Sequence, residues 1–283
     1  MLPVGIHLSF WQTKWSDSLL PTINLTREAG FDVCEFPLLQ VEQLPLEQLR
    51  RALQENQMLA SCCVGLNETQ DITSPKDSVR KQGIQFLRKC LEAAHFLESP
   101  VLAGVTYAPW GFFPSDDLLE RRKHSVTSLK EAARIAQDNG VTLCLELVNR
   151  FEGYLLNTVD QGLAFLAEID SPAVKLHLDT FHMNIEEDNI ADAIRKAGDK
   201  IGHIHCVDNN RKVPGQGHIQ WNPIFKAIHE THYDGFIVAE VFVNPAGEVG
   251  RGLSIWRSLA PDLMGTAKET ASFLKKGLQD VQP

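Results

Sequence analysis

Residue types that bind metal ions follow four apolar runs in the second half of the chain. The runs are LCLELVNR with Glu146, VKLHLDTFH with Asp179, GHIHCVDNNR with His205 and FIVAEVF with Glu240. A strand buried in a parallel sheet should be almost wholly apolar, and an ionised carboxylate there is costly unless it is paired or bound to a metal. These four side chains therefore predict one bound divalent cation.

The ligand set also predicts the kind of ion. Three carboxylates and one imidazole suit Mn²⁺, Co²⁺ or Mg²⁺ better than an ion that prefers thiolates, and Mn²⁺ is our first expectation. The alternative for each acid is a loop cap or an ion pair with Arg150 or Arg211. That alternative explains one acid easily, but four ligands at equivalent places poorly.

The elements that must position these residues alternate along the chain. Apolar, β-branched runs predict strands over 4–10, 31–38, 58–66, 101–108, 142–149, 174–182, 201–208 and 235–242. Amphipathic stretches predict helices over 78–97, 121–138, 160–169, 189–196 and 222–230, with a closing helix from Met264. Eight β-then-α units predict an α/β fold, the (β/α)₈ TIM barrel, as a single domain over residues 1–283.

An open, doubly wound sheet is the alternative fold. A dinucleotide-binding sheet would need GxGxxG after its first strand, whereas GEVGRG at 247–252 follows the last predicted strand and has the wrong order. The sequence therefore predicts no nucleotide cofactor. In a barrel, functional groups lie at the carboxyl ends of the strands, where all four predicted ligands fall.

Composition excludes several classes of function. The net charge of −9 disfavours nucleic acid, whose binding needs clustered Lys and Arg. No apolar run is long enough for a membrane span, and the start MLPVGIHLSF lacks the features of a signal peptide. The six cysteines form no CxxC pair, so we expect them to be reduced in a cytoplasmic protein.

Five segments resemble the ketose 3-epimerases of the D-tagatose and D-psicose (allulose) type, within the xylose-isomerase-like barrels. They are LELVNRFE (145–152), LDTFHMNIEE (178–187), HIHCVDNNR (203–211), PGQGHIQW (214–221) and AEVF (239–242). The resemblance runs from about residue 6 to residue 256. It implies the same four metal ligands that the strand ends predict, and a homodimer or homotetramer.

The resemblance also implies a reaction, the epimerisation of a free ketose such as D-tagatose, D-psicose, D-fructose or L-ribulose at C3 through an enediolate. Glu146 and Glu240 would act as acid and base on opposite faces of the sugar. The residues implied for substrate binding are Glu152, His182, Arg211, Trp110 and Trp15. Glu35 is expected either to hold a metal ligand or to form a buried ion pair. Other aromatic residues expected at the pocket are Trp11, Phe112 and Phe242.

Two departures from the family pattern leave the substrate open. Val207-Asp208 stands where ketose epimerases usually carry Gly-Glu, and Asp208-Asn209 resembles relatives that act on 3-keto sugar derivatives. His7 replaces an aromatic residue. Both changes are predicted near the pocket. The alternatives are an epimerase of a 3-keto glycoside or modified ketose, an aldose–ketose isomerase, an endonuclease-IV-type phosphodiesterase and a non-catalytic sugar-binding barrel.

Overall fold

The computed structural model describes residues 1–281, and its eight parallel strands close into a barrel in chain order. The strands are β1 Val4–His7, β2 Val33–Pro37, β3 Leu59–Cys63, β4 Val101–Ala103, β5 Thr142–Glu146, β6 Val174–Asp179, β7 Ile201–His205 and β8 Ile237–Ala239. The predicted (β/α)₈ fold is thereby confirmed. Residues 282–283 of the predicted domain lie outside the described residues.

Helices connect the strands. They are α1 Leu20–Glu28, α2 Leu46–Asn56, α3 Asp77–Phe96, α4 Leu118–Asp138, α5 Val159–Ile169, α6 Thr180–Glu186, α7 Ile190–Ala197, α8 Trp221–Glu230, α9 Gly247–Gly252 and α10 Leu263–Asp280. Each predicted helix is present, with its ends moved by a few residues. The sequence did not predict α1, α2, α6 and α9.

The predicted strands run past the observed carboxyl ends. The fourth was predicted to end at 108 and the fifth at 149, whereas β4 ends at Ala103 and β5 at Glu146. The residues beyond remain buried, as Tyr107, Leu147 and Val148 show. An apolar run indicates that a segment is buried, but not that its backbone pairs with a neighbouring strand. The sequence therefore did not indicate where the chain leaves the sheet.

A glycine lies where the barrel closes. Gly5 pairs with Val33 of β2 and with Val238 of β8. A Cβ atom at this position would lie 2.7 Å from Val33 Cβ and 2.9 Å from the Val33 carbonyl oxygen. A larger residue would therefore push β1 away from its neighbour.

Two observations bear on the predicted environment. The six cysteines are free and buried, as expected for reduced thiols. No helix within residues 1–281 combines the length and the apolarity that a membrane crossing requires.

Candidate active site

Four neighbouring strands bring the predicted metal ligands together. Glu146, Asp179 and His205 are the last residues of β5, β6 and β7, and Glu240 directly follows β8. The ladder places Asp179 beside His205. One donor atom from each of the four side chains lies within 4.8 Å of the other three. Because parallel strands end at the same barrel mouth, the short sequence patterns converge in space.

Asp179 uses one carboxylate oxygen for the backbone and leaves the other free. It is the N-cap of α6, and Oδ1 accepts hydrogen bonds from the N–H groups of Phe181 (2.6 Å) and His182 (3.2 Å). Oδ2 is buried and has no hydrogen-bond partner in the described part of the chain. The helix start therefore decides which oxygen points to the shared centre.

His205 is held in a similar way by Glu35. Its Nε2 lies 2.6 Å from Glu35 Oε1, while Nδ1 lies 3.6 Å from both Asp179 Oδ2 and Glu240 Oε1. Glu35 also lies 2.7 Å from His203 Nε2 and accepts a 2.7 Å hydrogen bond from Ser61. Burial opposes ionisation of Glu35, but the two histidines hold its pKa well below its usual value. Of the two roles expected for Glu35, this contact fits the residue that holds a ligand.

Negative charge accumulates at this centre. Burial first, and then the Glu240 charge, raise the pKa of Glu146 well above its usual value. Burial also raises the pKa of Glu240 to about 7, although His205 and Arg211 oppose this. Carboxyl groups buried this close together cannot all be ionised unless a positive charge compensates them, and a bound cation would supply that charge.

The donor set fits a divalent cation. Asp179 Oδ2 and His205 Nδ1 are buried, have no hydrogen-bond partner among residues 1–281 and lie 3.6 Å apart. That separation lets one ion contact both atoms at about 2.1 Å. Three carboxylates and one imidazole are hard and borderline donors, which suit Mn²⁺, Co²⁺ or Mg²⁺.

A cavity of about 260 Å³ opens directly above these ligands. Glu146 and Glu240 line it, whereas Asp179 and His205 are fully buried beneath. The residues predicted to bind substrate all lie on its wall, namely Glu152, His182, Arg211, Trp110 and Trp15. The structure thus brings all the predicted site residues to one place, and their roles remain predictions.

Polar groups on the β5–β6 side are held by a residue that sequence reasoning missed. Asn149 donates to Glu152 Oε1 (2.9 Å), and its backbone N–H donates to His182 Nδ1 (3.2 Å). In the sequence, the position of Asn149 three residues before Glu152 could have indicated this role. Because Nδ1 accepts, the neutral imidazole carries its proton on Nε2, which lies 3.7 Å from Glu146 Oε1. Burial lowers the pKa of His182 to about 4.

Arg211 is clamped between aromatic rings. Its guanidinium lies 3.9 Å from the ring centre of Phe181 and 5.5 Å from that of Phe242. Nη1 donates to Glu240 Oε2 at 2.7 Å. The ion pair with Arg211, which was the alternative considered for each acid, is therefore present at Glu240.

The Val207-Asp208 departure was predicted near the pocket, but neither residue lines the cavity. Asp208 is fully buried and accepts hydrogen bonds from Gly215 N–H (2.8 Å) and Trp221 Nε1–H (3.0 Å). Val207 exchanges backbone hydrogen bonds with the Thr180 hydroxyl. These residues organise the connection from β7 to α8.

His7 and Phe242 do line the cavity, but two of the expected aromatic residues do not. The Trp11 indole N–H donates to Thr26 Oγ1 at 3.0 Å. Phe112 instead packs against the Arg121 guanidinium, 5.6 Å from its ring centre. Both therefore have structural contacts away from the site.

A second, larger cavity of about 580 Å³ adjoins the first. The two share Trp110, Glu152, Arg211, Gly252 and Leu253. The outer cavity is also bordered by Phe151 and Trp256, whose side chains are 73% and 74% exposed. Space therefore continues outward from the Glu152 side of the site.

Comparison with known proteins identifies the family. The profile of the xylose isomerase-like TIM barrel family matches residues 23–259. The chain belongs to that family. Within it, the chain is 35% identical to the D-psicose 3-epimerase of Ruminiclostridium cellulolyticum, over 90% of this chain and 89% of that protein. It is also 35% identical to the L-ribulose 3-epimerase of Mesorhizobium japonicum, over 99% and 95% of the two chains.

Solved structures of family members agree. The D-allulose 3-epimerase from Methylomonas sp. in complex with D-allulose superposes with a TM-score of 0.92 at 33% identity, covering 97% of this chain and 96% of that one. The predicted resemblance to ketose 3-epimerases is thereby confirmed.

Proposed function

We propose that this protein is an epimerase that inverts C3 of a free ketose and depends on a divalent metal ion. The observation that carries the proposal is the position of Glu146 and Glu240, which both line the cavity and both reach the centre formed with Asp179 and His205. Relatives named D-psicose and L-ribulose 3-epimerase support the substrate class.

The metal would be held by Glu146, Asp179, His205 and Glu240. When bound, a divalent cation supplies a Lewis acid that polarises the C2 carbonyl and stabilises the enediolate. Mn²⁺ is our proposed ion, and Co²⁺ or Mg²⁺ suits the same donors.

The proton transfers belong to the two glutamates. One carboxylate removes the C3 proton, and the other carboxyl group returns a proton to C3 on the opposite face, which inverts that carbon. Inversion in either direction needs a group on each face. Glu152, the His182 Nε2–H and Arg211 surround the cavity beside Glu146. We propose that they orient the C1–C2 end by hydrogen bonds.

Isotope exchange tests the reaction. Metal-stripped protein should be inactive on D-fructose, D-psicose, D-tagatose and L-ribulose, and added Mn²⁺ should restore turnover. In D₂O, NMR should find deuterium at C3 of the product. Deuterium at C1 alone would instead identify an aldose–ketose isomerase.

Substitution of the acid–base pair tests the mechanism. Glu146→Gln and Glu240→Gln should each lower kcat by about 10³-fold or more, because the amide cannot transfer the proton. Glu131→Gln, on the exposed face of α4, is the matched control and should keep full activity. Near-normal rates in both site variants with Mn²⁺ bound would contradict the two-glutamate scheme.

The outer cavity favours a second candidate function, the epimerisation of a 3-keto glycoside at C4. In such a sugar the ketone is C3, so the C1 substituent lies on the side where a ketose carries its own C1. Glu152 and Arg211 stand on that side and also border the outer cavity, which has room for the substituent. A kcat/KM for keto glycosides well above that for free ketoses would favour this candidate.

The predicted cytoplasmic location and homodimer or homotetramer form part of the proposal. Light scattering on the purified protein tests the oligomeric state. Fractionation of cells that express the chain tests the location.

A further inference from the structure

The cavity wall is chemically uneven. The side formed by β5–β8 and their loops carries ionisable groups that line the cavity, and these are Glu146, Glu152, His182, Arg211 and Glu240. The opposite side is mostly apolar, with Pro37, Leu39, Cys63, Val64, Leu66 and Val105, although Trp15 and Asn67 also line it. A ketose carries an oxygen on every carbon, so an apolar wall would leave its far hydroxyl groups without partners.

His7 is the buried polar side chain on this second side. It is the last residue of β1, is 7% exposed and lines the cavity. Its Nδ1 accepts a hydrogen bond from the Ser9 N–H at 3.4 Å. Burial lowers the pKa of His7 to about 4, so the ring is neutral at neutral pH and carries its proton on Nε2. Within residues 1–281, Nε2 makes no hydrogen bond.

The barrel order places His7 across the cavity from Glu152 and His182, two of the groups that would hold C1 and C2. In a closed ring of eight strands, β1 and β5 are four strands apart and lie on opposite sides. Glu152 follows β5, and His182 follows β6. A ketose with its C1–C2 end at those residues therefore extends its other end towards β1.

We propose that His7 determines substrate specificity by donating its Nε2–H to a hydroxyl group at the C5–C6 end of the ketose. This inference rests on the proposed ketose epimerisation. A donor at this place on a mostly apolar wall favours sugars that carry an oxygen opposite it, and disfavours sugars with a hydrogen there.

Deoxy sugars and three proteins test the inference. The Mn²⁺-loaded wild type, His7→Phe and His7→Gln are assayed on the best ketohexose and on its 5-deoxy and 6-deoxy analogues. His7→Phe keeps a ring but has no donor, whereas the Gln amide restores one. We expect His7→Phe to lose about tenfold in kcat/KM on the parent sugar, mostly through KM, and His7→Gln to recover part of that loss.

The inference is decided by whether the effect of the His7 substitution and the effect of the missing hydroxyl group are additive. With the wild type, kcat/KM for one deoxy analogue should be about tenfold lower than for the parent sugar. With His7→Phe, kcat/KM should be nearly the same for that analogue and for the parent sugar, because both changes remove the same hydrogen bond. A loss in His7→Phe that is equal on the parent and on both analogues would overturn the inference. That pattern would mean that His7 acts on neighbouring groups, such as Glu35 or Cys63, which lie close to it.

Failure of the proposed function gives a different result. A wild type that epimerises no ketose at C3 contradicts the function itself, whereas an active wild type with uncoupled variants contradicts only the role of His7. Mn²⁺ titration calorimetry and thermal unfolding of each variant separate a lost contact from a damaged site or fold.

Discussion

At the scale of single residues, the site is defined by which atom of each ligand is left unpaired. Asp179 caps α6 with Oδ1, and His205 directs Nε2 to Glu35. Oδ2 and Nδ1 are thereby the atoms that face the common centre. Neighbours that fix the orientation of a ligand usually tune metal affinity as strongly as they tune geometry.

Replacement of Glu35 tests this control. Glu35→Gln should weaken Mn²⁺ binding about 10- to 100-fold, because the neutral amide no longer holds the His205 ring through a charged contact. With saturating Mn²⁺, kcat should stay near the wild-type value. Calorimetric titration measures the affinity.

Ser61→Ala is the matched control for that experiment. It removes only the neutral hydrogen bond to Glu35 Oε2 and should change the affinity less than Glu35→Gln does. Unchanged Mn²⁺ affinity in Glu35→Gln would show that Glu35 is only a buried structural acid.

At the scale of elements, the connection from β7 to α8 is built around one buried carboxylate. Asp208 accepts hydrogen bonds from the indole of Trp221 in α8 and from the Gly215 N–H. A Cβ atom on Gly217 would lie 1.8 Å from Asp208 Oδ1, so the loop packs tightly against this acid. The resemblance to enzymes of keto sugars at this position therefore concerns loop structure.

Substitution of Asp208 separates stability from specificity. Asp208→Asn should lower the free energy of unfolding by about 1–3 kcal/mol, because an amide cannot accept all of these hydrogen bonds. The ratio of kcat/KM between keto glycosides and ketoses should not change, since Asp208 does not line the cavity. Asp234→Asn, at an exposed position, is the control. A changed substrate ratio in Asp208→Asn would contradict this account.

At the scale of the whole molecule, barrel closure brings the ligands of β5, β6, β7 and β8 together against mutual repulsion. Glu240 shows how this repulsion makes the stability of the metal-free fold depend on pH. Its pKa is raised to about 7 by burial, so its protonated form favours the folded, metal-free protein. That contribution is complete below about pH 4.5 and is lost as the pH rises to about 7.

Metal binding should reverse this loss. At 100 times its Kd, Mn²⁺ should stabilise the fold by about 2.7 kcal/mol, which corresponds to a rise in Tm of about 5 °C. The rise should be largest above pH 7 and should shrink towards pH 5, because the ion must then displace protons from Glu146 and Glu240. Calorimetry with and without Mn²⁺ measures it.

A ligand variant controls for unspecific stabilisation. Asp179→Ala should remove most of the Mn²⁺-dependent rise in Tm, because the ion then loses a ligand. An equal rise in this variant would place the stabilising ion elsewhere in the molecule.

The sequence by itself determined the fold class and the four side chains that converge at the barrel mouth. Both follow from local pattern: apolar periodicity reports which segments are buried, and a charged residue at the end of a buried run is costly enough to be informative. Glu146, Asp179, His205 and Glu240 needed only the rule that parallel strands end at one mouth.

Only the tertiary structure decided how the site is built around those ligands. The contacts of Glu35 with His205, of Asn149 with His182 and of Arg211 with Glu240 join residues that are distant in sequence. The strand ends, the internal position of Asp208 and the place of His7 on the cavity wall were settled there too. The reason is physical: hydrogen-bond partners and cavity walls depend on distances in space, which barrel closure sets and local sequence does not encode.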